Sequence, residues 1–267
     1  MIWYTDFAAI LAIASFITGG IWLIDSLFLK ARRLNAQQNN ASNPYREPWW
    51  VEHSRAVFPI LFMLFILRAF IGEPYRIPSG SMKPTLTEGD FILVNKFTYG
   101  LKFPITDYKF LTLGQPQRGD VVIFRFPKNP KIIFIKRIVG IPGDTISYKN
   151  KTLYINQQKM PQSLVEQSTD LDLISGISRP VKHMQETLLE TKHPIFIAPT
   201  IPKDMAAIEV PQGHYFMLGD NRDNSGDSRE WGLLPEKNIL GKAFMIWMSW
   251  DSKHNDMRWD RIGKAVN

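Results

Sequence analysis

"GDVVIFRFP" at 119–127 and "KIIFIKRIVGIPGD" at 131–144 decide the fold class. Each is a short run of β-branched and aromatic residues punctuated by Gly, Pro or Asp, the composition of a strand that ends in a turn. The pattern returns in "FILVNKF" (91–97), "TISYKNKTLYIN" (145–156), "HYFMLGDN" (214–221) and "KAFMIWMSW" (242–250). Such spacing is that of antiparallel sheet rather than of βαβ units. The chain is therefore expected to be mainly β, with a barrel-like or sandwich-like domain assembled from 72–156 and 206–267. "SYKNKTLYIN" predicts a hairpin that turns near Asn150. Residues 157–205 mix Gln, Ser, Lys and Pro without a sustained period, and are expected to form an insertion with strands of its own.

Upstream of these strands the chemistry changes. From Phe7 to Ile24 run 18 residues without a charge, which as a helix cover roughly 27 Å, close to one bilayer crossing. A cleaved signal peptide would open with a basic stretch and close on small residues, whereas this segment opens "MIWYTDF" and ends at Asp25. The reading is an uncleaved anchor over residues 1–29. A second apolar run, 56–71, carries Pro59 and Arg68; Arg68, near its end, can snorkel to the interface. The alternative for this run is a buried helix of a soluble protein.

The formal net charge of +7 over 267 residues suits a nucleic-acid binder, a membrane-surface protein or a soluble basic protein, so its location decides. The loop 30–55 holds Lys30, Arg32, Arg33, Arg46 and Arg55 against Glu47 and Glu52, while only Asp6 precedes the first span. Basic excess marks the cytoplasmic side, which puts this loop inside and everything after about residue 72 outside. The loop lacks the interleaved aromatics of a nucleic-acid surface apart from Tyr45, Trp49 and Trp50, so no nucleic-acid partner is expected. The absence of cysteine excludes disulfides, thiol nucleophiles and thiolate metal sites.

Candidate chemistry begins in "RIPSGSMKPTL", 76–86, where Ser79 and Ser81 flank Gly80. A nucleophilic serine needs a base and donors for the oxyanion. Of the five histidines only His214 and His254 are placed to complete a Ser-His-Asp set. Lysine serves as a base only when neutral near the working pH, which requires burial. Strand alternation places Lys136 in a row with Ile132, Phe134 and Ile138, and Arg137 in an equally apolar row with Ile133, Ile135 and Val139; periodicity does not choose between the faces. "GDNRDNSGDSREWG" at 219–232 lacks the glycine and glutamate of a calcium loop counted from Asp223, Ser225 and Asp227, so no metal is expected there. Its aspartates and arginines are better suited to pairing and capping at the base of a site, with Ser225 able to hold a lysine amine.

Together, "PSGSMKPTL", "GDVVIFRFP", "FIKRIVGIPGD" and "GDNRDNSGDSREWG", in that order after two apolar spans, closely resemble the type I signal peptidases, or leader peptidases, of Gram-negative bacteria. The resemblance implies an S26-type serine endopeptidase without cofactor or metal. It would remove signal peptides from exported preproteins after small residues at −1 and −3, on the periplasmic side of the inner membrane, in contact with the bilayer and near the export machinery. It also implies Ser81 as nucleophile, Lys136 as general base, Ser79 and the Ser81 N–H as oxyanion donors, and Ser225 as a hydrogen-bond partner of Lys136. Asp227 and Arg229 would form a structural ion pair, and Ile77, Met82, Leu86, Ile92 and Ile135 would line the substrate pockets. Lys83 departs from the family's frequent apolar residue and is a rival base, expected to be solvated. The insertion lacks the cysteine pair of some members. Two competing readings are a self-cleaving Ser-Lys repressor and a membrane-anchored β-domain that binds peptides.

Overall fold

The computed structural model describes residues 3–38, 47–70, 72–102, 109–172 and 176–266. The chain divides into a helical N-terminal unit and a strand-built unit that comprises Glu73–Leu101 and Phe110–Asn267.

In the helical unit the charge-free run forms the helix Trp3–Ile24, which passes through one π-helical stretch, Asp25–Leu29, into the helix Lys30–Gln38. The π stretch coincides with Asp25, which is buried and paired to Arg33. An unpaired carboxylate beside so apolar a segment would be costly, and the pair removes that cost. The second long helix is Trp49–Phe70, with Pro59 inside it. It begins seven residues before the first residue of the apolar run, because helix formation needs backbone hydrogen bonds and tolerates Glu52 and Arg55 on a polar turn. Among the described residues two segments, Ile10–Asn35 and Trp49–Ile66, are long and apolar enough to cross a membrane. The helices approach closely at Gly19, where a Cβ would stand 2.6 Å from the Phe58 ring, as a small residue permits between packed helices. Tyr45, Arg46 and the side chain of Arg68 lie outside the described residues.

In the strand unit Val121–Phe126 and Asn129–Gly140 form an antiparallel pair with Val122 opposite Lys136 and Phe124 opposite Phe134. They sit in the middle of an eight-stranded sheet that runs, in spatial order, 73–76, 90–95, 239–251, 121–126, 129–140, 214–218 and 234–235, with 256–257 beside 239–251. The path is open at both ends, which makes the unit sandwich-like rather than a closed barrel. Val121 and Ile123 enter one core cluster with Ile77, Met82, Leu86 and Ile92, while Val122 and Phe124 enter another with Ile138, Tyr215 and Met217. A strand buried on both faces reads as a continuous apolar run instead of alternating. That is why periodicity left Lys136 and Arg137 undecided: residues 135 to 140 are buried on both faces.

The predicted hairpin turns through Asn150 and Lys151, both at positive φ (46° and 61°), joining Thr145–Lys149 to Thr152–Ile155. Two consecutive residues at positive φ match the twist of a tight hairpin. Within the insertion, Gln162–Leu171, Ser178–Leu188 and Thr191–Ile197 form a separate three-stranded antiparallel sheet. The margins of 157–205 behave differently: Gln158–Lys159, and the strand Met205–Glu209 that starts at its last residue, pair with the 145–155 hairpin.

Candidate active site

Ser81 lies on a single 3-10 turn, Gly80–Met82, between the strands Glu73–Arg76 and Asp90–Asn95. Apolar side chains on both sides anchor this turn: Ile77, Met82 and Leu86 are fully enclosed in the cluster that also holds Ile92 and Ile135. The five residues expected at substrate pockets are thus brought into one apolar body. The Ile77 N–H donates to the Asp90 carbonyl at 2.8 Å, tying the entry of the turn to the next strand.

Lys136 projects from the strand Asn129–Gly140 toward this turn. Its Nζ lies 2.6 Å from Ser81 Oγ and 2.9 Å from its neighbour's carbonyl, Ile135 O, with the Phe134 ring centroid 5.5 Å away. Lys136 is 4% exposed. Burial pushes its pKa down to about 8, against the opposing pull of Asp227 and Asp220. A minor but real fraction of the amine is therefore neutral at pH 7, and a neutral amine at this distance can take the hydroxyl proton. Ser79 Oγ is 3.5 Å from Ser81 Oγ.

Ser225 does not make the expected bond. Its Oγ is buried without a hydrogen-bond partner among the described residues, while the Lys136 amine is directed to Ser81 and back to the Ile135 carbonyl. The Ser225 hydroxyl packs over Gly219 instead, where a Cβ would stand 2.2 Å from Ser225 Oγ and 2.5 Å from the Ser81 carbonyl oxygen. Only glycine at 219 leaves room for this approach.

The remainder of the 219–232 segment forms a floor of paired charges. Arg229 binds Asp227 through two bonds of 2.8 Å and donates to the Arg222 carbonyl at 2.6 Å. Asp227 also caps the helix Ser228–Trp231 and accepts the Gly219 N–H at 3.1 Å. Asp220 accepts two bonds from Arg137, at 2.9 and 2.7 Å, and one from Thr85. Burial opposes its ionisation, yet the Arg137 guanidinium outweighs that and holds the carboxyl below the usual range. Arg222 binds both oxygens of Glu186, and Asp223 meets Lys151 at 3.0 Å. Asn221 ties the segment to the serine turn: its N–H donates to the Ser81 carbonyl at 3.1 Å and its Nδ2 to the Gly80 carbonyl at 3.1 Å.

Lys83 is not solvated. It is 7% exposed; its amine donates to Asp170 at 2.9 Å and to the Leu171 carbonyl at 2.6 Å, and pairs with Glu88 at 2.8 Å. Two of the acceptors come from the insertion, so no local reading of "SMKPTL" could find them. His214 contacts the Gln212 carbonyl and His254 pairs with Asp251 at the surface, so neither accompanies Ser81. His193, which sequence reasoning passed over, is completely buried against Glu186 and Asp220, and burial, followed by Arg137, lowers its pKa to about 3. It is a neutral member of the ionic floor. Among the described residues no group of three or more acidic or histidine side chains is arranged to hold a metal.

The site thus sets a hydroxyl against a buried amine on a turn fixed by apolar anchors. Residues 50–250 match the family model described as signal peptidase, peptidase S26. Signal peptidase I of Pseudomonas aeruginosa is 41% identical over 97% of this chain and 98% of its own. That of Pseudomonas fluorescens is 42% identical over 92% and 93%. A solved signal peptidase I from Enterococcus faecalis V583 is 29% identical, covering 49% of this chain and 98% of that one, with a TM-score of 0.29. By the extent of the family match and the identity to relatives over nearly the whole length, the chain belongs to the signal peptidases of family S26, enzymes that remove signal peptides.

Proposed function

We propose that this chain is a membrane-anchored endopeptidase that cleaves signal peptides from exported preproteins with a Ser81–Lys136 dyad. The observation that carries the reading is the 2.6 Å contact between Lys136 Nζ and Ser81 Oγ, made by an amine that burial has brought toward neutrality. Ser81 Oγ attacks the scissile carbonyl carbon as its proton passes to Lys136 Nζ. The oxyanion is met by the Ser81 N–H and the Ser79 hydroxyl. Collapse expels the amine of the mature protein, which takes the proton from Lys136, and leaves the signal peptide esterified to Ser81. Lys136 then accepts a proton from water, whose oxygen attacks the ester carbonyl; as the tetrahedral intermediate collapses, Lys136 returns that proton to the departing Ser81 Oγ, and the signal peptide leaves as a carboxylic acid that ionises in solvent. Ile77, Met82, Leu86, Ile92 and Ile135 form the apolar body that backs shallow pockets for small residues at −1 and −3, and Asp227 with Arg229 steadies the floor. The helices in the segments 1–29 and 56–71 span the inner membrane with the basic 30–55 segment in the cytoplasm, so the strand unit works on the periplasmic side near the export machinery.

The sign of the pH dependence follows from the base. Only the neutral amine accepts a proton, so kcat/KM should fall tenfold for each pH unit below about 8. Cleavage of a preprotein by the full chain in detergent, measured from pH 6 to 10, should show one acidic limb with an apparent pKa of about 8. A flat profile down to pH 6 removes lysine from the role. Ser79→Ala deletes one oxyanion donor and should lower kcat by about 10²-fold with KM little changed; steady-state kinetics of the same reaction check it.

A further inference from the structure

One buried ion cluster takes no part in the proton transfer proposed above. The Lys83 amine donates to Asp170 and to the Leu171 carbonyl, and forms an ion pair with Glu88. The second oxygen of Asp170 accepts from Asn221 Nδ2 at 2.9 Å, and that same nitrogen donates to the Gly80 carbonyl at 3.1 Å. The Lys83 backbone N–H reaches the Gly80 carbonyl as well, at 3.1 Å. The cluster also closes over the Gly80 Cα, where a Cβ would stand 2.6 Å from Glu88 Oε1 and 3.2 Å from Lys83 Cε.

Two pieces of elementary geometry convert this grip into a position. The Gly80 carbonyl and the Ser81 N–H belong to one planar peptide and point in opposite directions, so whatever fixes the carbonyl fixes the N–H. The Asn221 amide faces two acceptors, and a flip would set its oxygen against both, so the Asp170 carboxylate dictates which way the amide lies. We propose that Asp170 and Lys83 are positioning residues that, through Asn221, hold the Gly80–Ser81 peptide with its N–H aimed at the oxyanion. Neither touches substrate. The insertion thereby takes part in catalysis from outside the site. This inference rests on the Ser81–Lys136 reading, because it presupposes an oxyanion at the Ser81 N–H.

A donor aimed at charge that exists only in the transition state acts on kcat rather than on KM. The test compares Asp170→Asn, Lys83→Met and the double variant with wild type, using the full chain in detergent. It measures kcat, KM, melting temperature and the pH profile of preprotein cleavage. Each single variant should lose at least tenfold in kcat with KM within about twofold, beyond what any change in melting explains. The double variant should be no slower than the slower single one, since both cut the same linkage. The acidic limb should stay where it is in wild type. If Asp170→Asn keeps its melting temperature and a kcat within threefold of wild type, or if the two losses multiply, the positioning role is overturned. If Lys83→Met abolishes the limb while Lys136→Met retains it, the proton goes to Lys83, and it is the Lys136 assignment that fails. Should Lys83→Met not fold, the isosteric Asp170→Asn decides alone.

Discussion

Lys136→Met should lower kcat for preprotein cleavage by about 10²–10⁴-fold, the range of a lost general base, and should at the same time raise the melting temperature at pH 7. The two effects have one cause. In the unfolded chain the amine ionises in the ordinary lysine range, whereas burial brings it down to about 8 in the folded protein. Below pH 8 both states carry the proton, and the folded state bears the full penalty of an enclosed ammonium, on the order of 3 kcal/mol. As pH rises from 8 toward the unfolded value, the folded state sheds its proton while the unfolded chain keeps it, and wild type recovers stability. Methionine has no such penalty, so its thermal advantage should be largest at or below pH 8 and should shrink by pH 10. Ser81→Ala combined with Lys136→Met should be no slower than either alone, because the two groups act as a unit. A Lys136→Met protein that cleaves at the wild-type rate would end the dyad reading.

The second large effect concerns stability. Glu186→Gln should destabilise the folded protein by about 3–5 kcal/mol, because it leaves the Arg222 guanidinium enclosed without its counter-charge. Both side chains are completely buried, and Arg222 binds both carboxylate oxygens. Burial alone would raise the Glu186 pKa, but Arg222, by charge and by hydrogen bond, holds it below the ordinary range. The pair's contribution is therefore present above the unfolded carboxylate range and is lost as pH falls through the depressed folded value. Chemical denaturation at pH 7 and pH 4 checks the size and the sign. Glu186→Leu with Arg222→Met should cost much less than Glu186→Gln, since it removes both charges together. An equal loss in both variants would mean that packing, not charge, dominates.

Strands were readable from the sequence wherever their own composition carried the signal, as in 121–126 and 145–155, because β-branched runs and turn residues act over a few positions. What depended on distant partners was not. Lys83 looked solvated because Asp170 lies 87 residues away in a polar stretch with no distinctive spacing. Glu186 and His193 gave no signal for the same reason. Lys136 and Arg137 could not be told apart by alternation because their strand is enclosed on both sides. The second helix begins at Trp49 rather than Ala56 because the apolar run is bounded by Arg55, whereas a helix is not. Ser81 and Lys136 are 55 residues apart, and only the likeness of whole motifs to a family suggested bringing them together. Ser225 shows the limit of that likeness, since its hydroxyl rests over Gly219 and forms no bond to the amine.

The three-stranded sheet of the insertion has a consequence for attempts to shorten the protein. Splicing residue 156 to residue 206 would spare every atom that reacts, yet Arg222 would lose the carboxylate of Glu186, and Lys83 would keep only Glu88. A pared-down variant must also neutralise those cations. The minimum length of a working enzyme on this scaffold is set by electroneutrality of its interior, not by the reach of its chemistry.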